Sequence, residues 1–264
     1  MSRFTGRKGP IRLGMVGGGQ GAMIGSVHRI AARLDGQFEL VAGALSSTED
    51  KARASAAEVG LAADRTYTDY VEMAKREARL KDGIEAVSIV VPNHMHLPVA
   101  REFLKRGIHV ICDKPLTGTL PDAKKLQAAA EKSQALFVLT HNYTGYPLVR
   151  EARSRVQRGD LGEIRLVQVE YAQDWLAEVP EPDNKQAAWR TDPERSGAGG
   201  ATGDIGTHAW NLLRHVTGLE PEAIAADLQS FVPGRLLDDN AHVMLRFKGC
   251  ARGTLWCSQV AAGE

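Results

Sequence analysis

Glycine gathers near the start of the chain, at Gly17, Gly18, Gly19, Gly21 and Gly25, directly after the apolar run Ile11–Val16 and at the opening of a helical stretch. A pyrophosphate group needs such a turn. The bend is tight, the backbone must approach the phosphates closely, and the helix start beyond offers N–H groups and a positive dipole end. After Gly17-Gly18-Gly19 the dinucleotide pattern asks for a small residue three positions on, and Ala22 supplies one. The alternative is that Gly25 is the third glycine and Gly21–Ile24 form an enlarged loop. Gly17, Gly19, Gln20, Ala22 and Gly25 are therefore candidate cofactor contacts. At the end of the second strand, where an NAD pattern places Asp or Glu on the ribose hydroxyls, the sequence reads Gly43-Ala44-Leu45-Ser46-Ser47. No carboxylate there repels a 2′-phosphate, and Ser46 or Ser47 can donate to one, so the pattern leans towards NADP(H). The other reading makes both serines caps of the next helix.

The elements around this loop alternate. Ile11–Val16, Phe38–Ala44, Ala86–Val91, His109–Cys112 and Leu136–Thr140 are short and rich in Val, Ile and Leu, as strands buried on both faces are. Helical periodicity fills the intervals: Ile24–Leu34, Thr48–Val59, Tyr67–Arg79, Leu97–Arg106 and Pro121–Lys132. Ser47 with Asp50 reads as an N-cap with an early acid, Pro121 as a first-turn proline and Gly107 as a C-cap. This alternation predicts an α/β, doubly wound parallel sheet over residues 1–140. Residues 141–264 change character. A helix over Pro147–Gln157, the turn Gly159-Asp160-Leu161-Gly162 and an alternating strand Glu163–Gln173 lead into a loop from Ala177 to Arg195. A helix around Ile205–Thr217 and strands Asn240–Phe247 and Ala251–Gln259, turning at Lys248-Gly249, complete an α+β domain on a mainly antiparallel open sheet. Because the chain stops just after a strand, that sheet is expected to be incomplete.

Composition narrows the partners. The chain has 264 residues, enough for two modest cores, with 43% hydrophobic residues, 25% charged and a net charge of +1. No strong field recruits nucleic acid or an anionic membrane. The longest apolar runs are strand-length, and Met1–Pro10 shows no leader's apolar core. Cys112, Cys250 and Cys257 form no CxxC pair and no even disulfide framework, which fits a reducing cytoplasm. His28, His94 and His96 lack thiolate or carboxylate partners at a metal-ligand spacing, so no metal is expected.

Four segments resemble the Gfo/Idh/MocA oxidoreductases, the family of glucose–fructose oxidoreductase and inositol dehydrogenase. They are the glycine loop with Val27-His28, the run Pro92-Asn93-His94-Met95-His96, the tripeptide Asp113-Lys114-Pro115, and the stretch from Gly199 to His208. The family's tripeptide is usually Glu-Lys-Pro, so Asp113 departs from it while remaining acidic. The resemblance implies that Lys114 hydrogen-bonds the reacting oxygen and that Pro115 helps to position a nicotinamide. It also implies that Asp113, Pro92, Asn93 and His96 lie near the cofactor, and that Asn142 and Tyr143, after His141, line the active-site cleft. Trp189 and Arg190 are candidates for gripping hydroxyls. Asp204 and His208, four apart, share a helical face and can point at one substrate.

Oxidation of a secondary alcohol sends a hydride to nicotinamide and a proton to a base. A histidine titrating near neutrality suits that proton, so His208 is the expected acid/base. Lys114 then stabilises charge developing on oxygen, and Asp204 orients substrate or histidine; Lys114 and His208 can exchange roles. The leading reading is an NAD(P)-dependent dehydrogenase of a sugar, sugar derivative or cyclitol, assembled as a homo-oligomer, a dimer or tetramer. Two alternatives stand beside it: a glycosidase that retains its nicotinamide, and a non-catalytic NAD(P)-binding sensor. Retention of Lys114, Asp204 and His208 together argues against the sensor.

Overall fold

The computed structural model describes residues 9–181 and 183–262. The Met1–Pro10 segment up to residue 8, and residue 182 of the loop read over Ala177 to Arg195, lie outside the described residues. Contacts divide the chain into two compact units. One runs to Leu116 and resumes over Leu120–Thr140; the other comprises Thr117–Thr119 and the chain from His141 onward.

The first unit is a parallel five-stranded sheet in the order β2-β1-β3-β4-β5. Its strands are β1 (Ile11–Gly17), β2 (Phe38–Ala44), β3 (Ala86–Val90), β4 (His109–Asp113) and β5 (Phe137–Thr140). Every residue of β3 is buried, as the unbroken Ala-Val-Ser-Ile-Val run requires of a strand covered on both faces. Helices α1 (Met23–Arg33), α2 (Glu49–Glu58), α3 (Tyr70–Glu77), α4 (His96–Leu104) and α5 (Leu120–Lys132) connect them. Met73, Val87, Ile89, Val99, Phe103, Val110 and Leu126 form the core. From β1 the chain moves to β2 on one side, while β3 pairs on the other. This reversal is a topological switch point, the place where open α/β sheets bind ligands beyond their strand ends. The glycine loop follows β1 and Pro92-Asn93 follow β3 there.

The second unit has a four-stranded sheet, β6-β9-β8-β7, made of β6 (Leu166–Ala172), β7 (Pro221–Gln229), β8 (Asn240–Phe247) and β9 (Arg252–Ser258). The β7–β8 and β8–β9 pairings are antiparallel, and β6–β9 is parallel. Ala241, Leu245, Leu255 and Cys257 on one face pack against Ala201, Ile205, Ala209 and Leu213. The last two lie on α9 (Thr207–Thr217). Helix α6 (Pro147–Arg158) ends at Gly159, whose φ of 77° is the left-handed stop the sequence anticipates.

Four expectations need correcting. The strand read over Glu163–Gln173 spans only Leu166–Ala172, the run that pairs with β9. The loop from Ala177 to Arg195 contains α7 (Lys185–Arg190) and α8 (Pro193–Ser196), started by the side chains of Asn184 and Asp192. Strand β7 was not foreseen; all nine of its residues are exposed, so no buried face marks it. The cap of α2 is Thr48, not Ser47, with no side-chain cap bond.

Glu77, 1% exposed, is a fully buried charge of the first unit. Its carboxylate accepts from Arg65 (2.8 and 2.5 Å), the Tyr67 hydroxyl (2.7 Å) and the Ile84 N–H (3.2 Å). Burial, and then the Glu77 carboxylate, push the Tyr67 phenol well above its ordinary range. Removing one member of such a pair strands the other. Glu77→Ala should cost about 3 kcal/mol in urea unfolding; a change within about 0.5 kcal/mol, the range of ordinary surface substitutions, would contradict this.

Candidate functional site

In the first unit the glycine loop is shaped by contacts that exclude side chains. Gly17, Gly18 and Gly21 have φ of 80°, 73° and 75°. A Cβ on Gly25 would sit 2.4 Å from the Gly18 Cα, so Gly25 allows α1 to close onto the loop. That close approach is the packing a third glycine permits, although Met23 and Ile24, read as loop in that alternative, already belong to α1. Ala22 is instead the N-cap of α1, its N–H bonded to Gly19 O (3.0 Å). Arg29 reaches back from α1 to Gly18 O (2.7 Å), and the Gln20 N–H donates to Ser55 Oγ (3.0 Å). The Gln20 amide also bonds Glu58. Helix α1 has no side-chain cap and no acid in its first turn, which suits a phosphate-facing helix start. The residues present therefore fit a dinucleotide pyrophosphate. Ser46 Oγ pairs with Thr48 (3.3 Å to its N–H), while Ser47 is exposed.

Lys114 follows β4 directly, half-buried, and Asp113 before it is tied into the unit. Thr140 Oγ1 donates to Asp113 (2.8 Å), and His28 Nε2 lies 3.6 Å away with its Nδ1 on Ser88 Oγ (2.8 Å). Burial alone would raise the Asp113 carboxyl. Hydrogen bonds from His28 and Thr140, with the charges of His28 and Lys114, outweigh it and hold it below the usual carboxylate range. His96, expected near the cofactor, is 1% exposed, and its ring nitrogens lie 2.7 Å from Pro115 O and 2.9 Å from Val91 O. It thus ties the turn carrying Lys114 and Pro115 to the end of β3, and burial lowers its pKa. Pro92 is half-buried and Asn93 buried at that strand end. Cys112 is buried strand filler, its thiol pushed up by burial.

In the second unit, the segment from Gly199 opens as a π-turn over Thr202–Gly206 and continues into α9. The four-residue spacing of Asp204 and His208 therefore crosses a change of helix type, not one uniform α-helical face. Asp238 holds the start of this segment. Its carboxylate accepts from the Gly200 N–H (2.8 Å), the Thr202 N–H (2.8 Å) and Thr202 Oγ1 (3.1 Å), and its carbonyl from the Ala201 N–H (2.7 Å). A Cβ at Gly200 would meet Asp238 O at 2.0 Å, which explains the glycine.

Around His208, 8% exposed, stand the rings of Tyr143 at 4.9 Å, His141 at 5.8 Å and Tyr171 at 6.0 Å. The Tyr143 and Tyr171 hydroxyls are 2.5 Å apart. Asp204 Oδ2 accepts from Arg190 Nε (3.3 Å) and Gln259 Nε2 (3.0 Å). Arg190 lies over Trp189 at 4.2 Å and over Trp175 at 5.7 Å. The Trp175 indole N–H donates to Gln173 (3.1 Å). The structure thus brings together Tyr143, Trp189, Arg190, Asp204 and His208, while Asn142 is exposed on its turn. Tyr171, Trp175, Gln173, Gln259 and Asp238 were missed. Tyr171 and Gln173 ended a legible alternating strand, but no local signal marked the others. Among the described residues no group of three His, Cys, Asp or Glu is placed to hold a metal. None of the described helices is long and apolar enough to cross a membrane.

Two family models match successive parts of the chain. Residues 11–143 match the oxidoreductase family model with an NAD-binding Rossmann fold, and residues 149–264 match the GFO/IDH/MocA C-terminal domain. An uncharacterized oxidoreductase, YfiI, of Bacillus subtilis is 35% identical over 96% of this chain and 66% of its own length. The crystal structure of an oxidoreductase from Sinorhizobium meliloti is 62% identical, with a TM-score of 0.87 over 97% of this chain and 67% of that one. An inositol dehydrogenase homolog from Azotobacter vinelandii, complexed with NADH and myo-inositol, is 36% identical, with a TM-score of 0.90 over 97% and 66%. The chain spans about two thirds of the length of these relatives. With a glycine-lined Rossmann sheet, Lys114 after β4 and the Asp204–His208 segment on a mixed sheet, the chain belongs to the Gfo/Idh/MocA family of oxidoreductases.

Proposed function

We propose that this chain forms the catalytic part of an NAD(P)-dependent dehydrogenase acting on a secondary alcohol of a sugar, sugar derivative or cyclitol. The observation that carries the reading is the pairing of two things in one chain. A dinucleotide loop has Lys114 at the end of β4 in its own sheet, and a buried histidine is set among tyrosines beside a fixed Asp204. Residues 1–140 serve as the NAD(P)-binding domain, with Gly17, Gly19, Gly25 and the start of α1 receiving the pyrophosphate. Residues 141–264 serve substrate binding and homo-oligomerisation. A reducing cytoplasm fits the free cysteines Cys112, Cys250 and Cys257.

Nicotinamide, when bound, accepts the hydride of the carbon being oxidised. His208 takes the hydroxyl proton, and its aromatic surroundings keep bulk water from competing for it. Lys114 stabilises the negative charge that develops as the alcohol is oxidised. Asp204 accepts from a neighbouring hydroxyl and so fixes which carbon is presented. Tyr143, Trp189 and Arg190 supply the apolar and polar faces a polyol ring requires. In the reverse direction His208 returns the proton.

Lys114→Met and His208→Gln should each lower kcat by about a hundredfold or more, while calorimetric affinity for the nicotinamide cofactor is retained. Near-wild-type turnover in either variant would remove that residue from the chemistry. Gly25→Ala, by forcing α1 off the loop, should weaken cofactor binding by about tenfold or more; an unchanged Kd would show that the loop does not hold the pyrophosphate. The Gly43–Ser47 segment lacks a carboxylate for the ribose, and Ser46 and Ser47 are suited to a 2′-phosphate. Higher kcat/KM with NADP than with NAD is therefore expected, and the opposite order would refute this preference.

A further inference from the structure

Gln259 follows β9 and is 3% exposed, far from every motif that marks the family in the sequence. Its main chain is held on both sides, the N–H by Asp239 O (2.8 Å) and the carbonyl by the Leu176 N–H (3.3 Å). With its backbone so anchored, the side-chain amide donates to Asp204 Oδ2 (3.0 Å), the oxygen that also accepts from Arg190 Nε (3.3 Å). Two donors converge on that one oxygen, one of them a guanidinium, an arrangement that favours the ionised carboxylate over the protonated acid. They come from separate segments, α7 and the end of β9, and together they fix the plane of the carboxylate. Arg190 is itself pinned by Trp189 and by Gln186 Oε1 (2.8 Å). A neutral amide supplies the second donor without adding a second positive charge.

We propose that Gln259 is a positioning residue: with Arg190 it holds Asp204 as an ionised, oriented acceptor for a hydroxyl of the polyol. This rests on the placement of Asp204 in the substrate site proposed above. The isosteric change Gln259→Glu gives the sharpest test. The carboxyl it introduces still donates to Asp204 while protonated and repels it once ionised, and two carboxylates in contact raise the pKa at which the shared proton leaves. The other ionisable groups of this corner are Arg190, His208, Asp238 and Asp239, the last paired with Arg235 (3.4 Å).

The experiment compares Gln259→Glu, Gln259→Leu and Asp204→Asn in the whole protein. It follows kcat and KM for an oxidisable polyol across pH, and cofactor affinity by calorimetry. Gln259→Glu should approach wild-type kcat/KM near pH ~6 and fall about tenfold or more below it by about pH 9. Gln259→Leu should raise KM about tenfold at every pH, more than it lowers kcat, with cofactor affinity unchanged in both variants. If Asp204→Asn is impaired but Gln259→Glu keeps the wild-type pH profile and Gln259→Leu the wild-type KM, the role given to Gln259 is wrong. If Asp204→Asn itself keeps wild-type kinetics, the reading of the substrate site fails first, and this inference with it.

Discussion

A single carboxylate organises the second unit. Asp238 gathers the N–H groups of Gly200 and Thr202, and its carbonyl takes that of Ala201, so the segment bearing Asp204 and His208 begins with its donors satisfied. Each of these donors, left unpaired in the interior, would cost about 1–3 kcal/mol. Gly200 answers the same constraint, because a side chain there would displace the Asp238 backbone. The π-turn that follows is where the fold departs from regular geometry, as π-turns at functional positions commonly do.

The first unit solves the matching problem with absence of side chains. Its glycine loop lets α1 approach β1, and Arg29 and Ser55 take up loop groups that face inward. On the other side of the switch point, His96 joins the end of β3 to the turn after β4, and Asp113 is bonded to Thr140 and paired with His28. Lys114 is therefore flanked by residues whose polar groups are already engaged.

Much of this was legible in the sequence, for physical reasons that also explain what was not. Strands such as Ala86–Val90 are buried on both faces and announce themselves as apolar runs; β7, exposed at all nine positions, has no such signature. The glycine loop is local, so its chemistry could be read from spacing, though the close Gly18–Gly25 approach appears only in the folded chain. Lys114, Asp204 and His208 were legible through short motifs. The residues that hold Asp204 and the start of its segment were not. Gln259 is 55 positions from Asp204, and Asp238 is 38 from Gly200, so each contact exists only once the β-sheet has formed. The expectation of a uniform helical face for Asp204 and His208 failed because Thr-Gly-Asp-Ile-Gly reads as an ordinary helix start and carries no mark of a π-turn.

In the proposed reaction a hydride leaves a polyol carbon for nicotinamide while His208 takes the proton. The most direct measurement offers the whole protein cyclitols and aldoses deuterated at their carbinol carbons, with NAD and with NADP, and follows the label by mass spectrometry. The account predicts deuterium on the reduced nicotinamide in step with formation of the ketone or lactone. Tight cofactor binding with no label transferred from any polyol of the panel would contradict it.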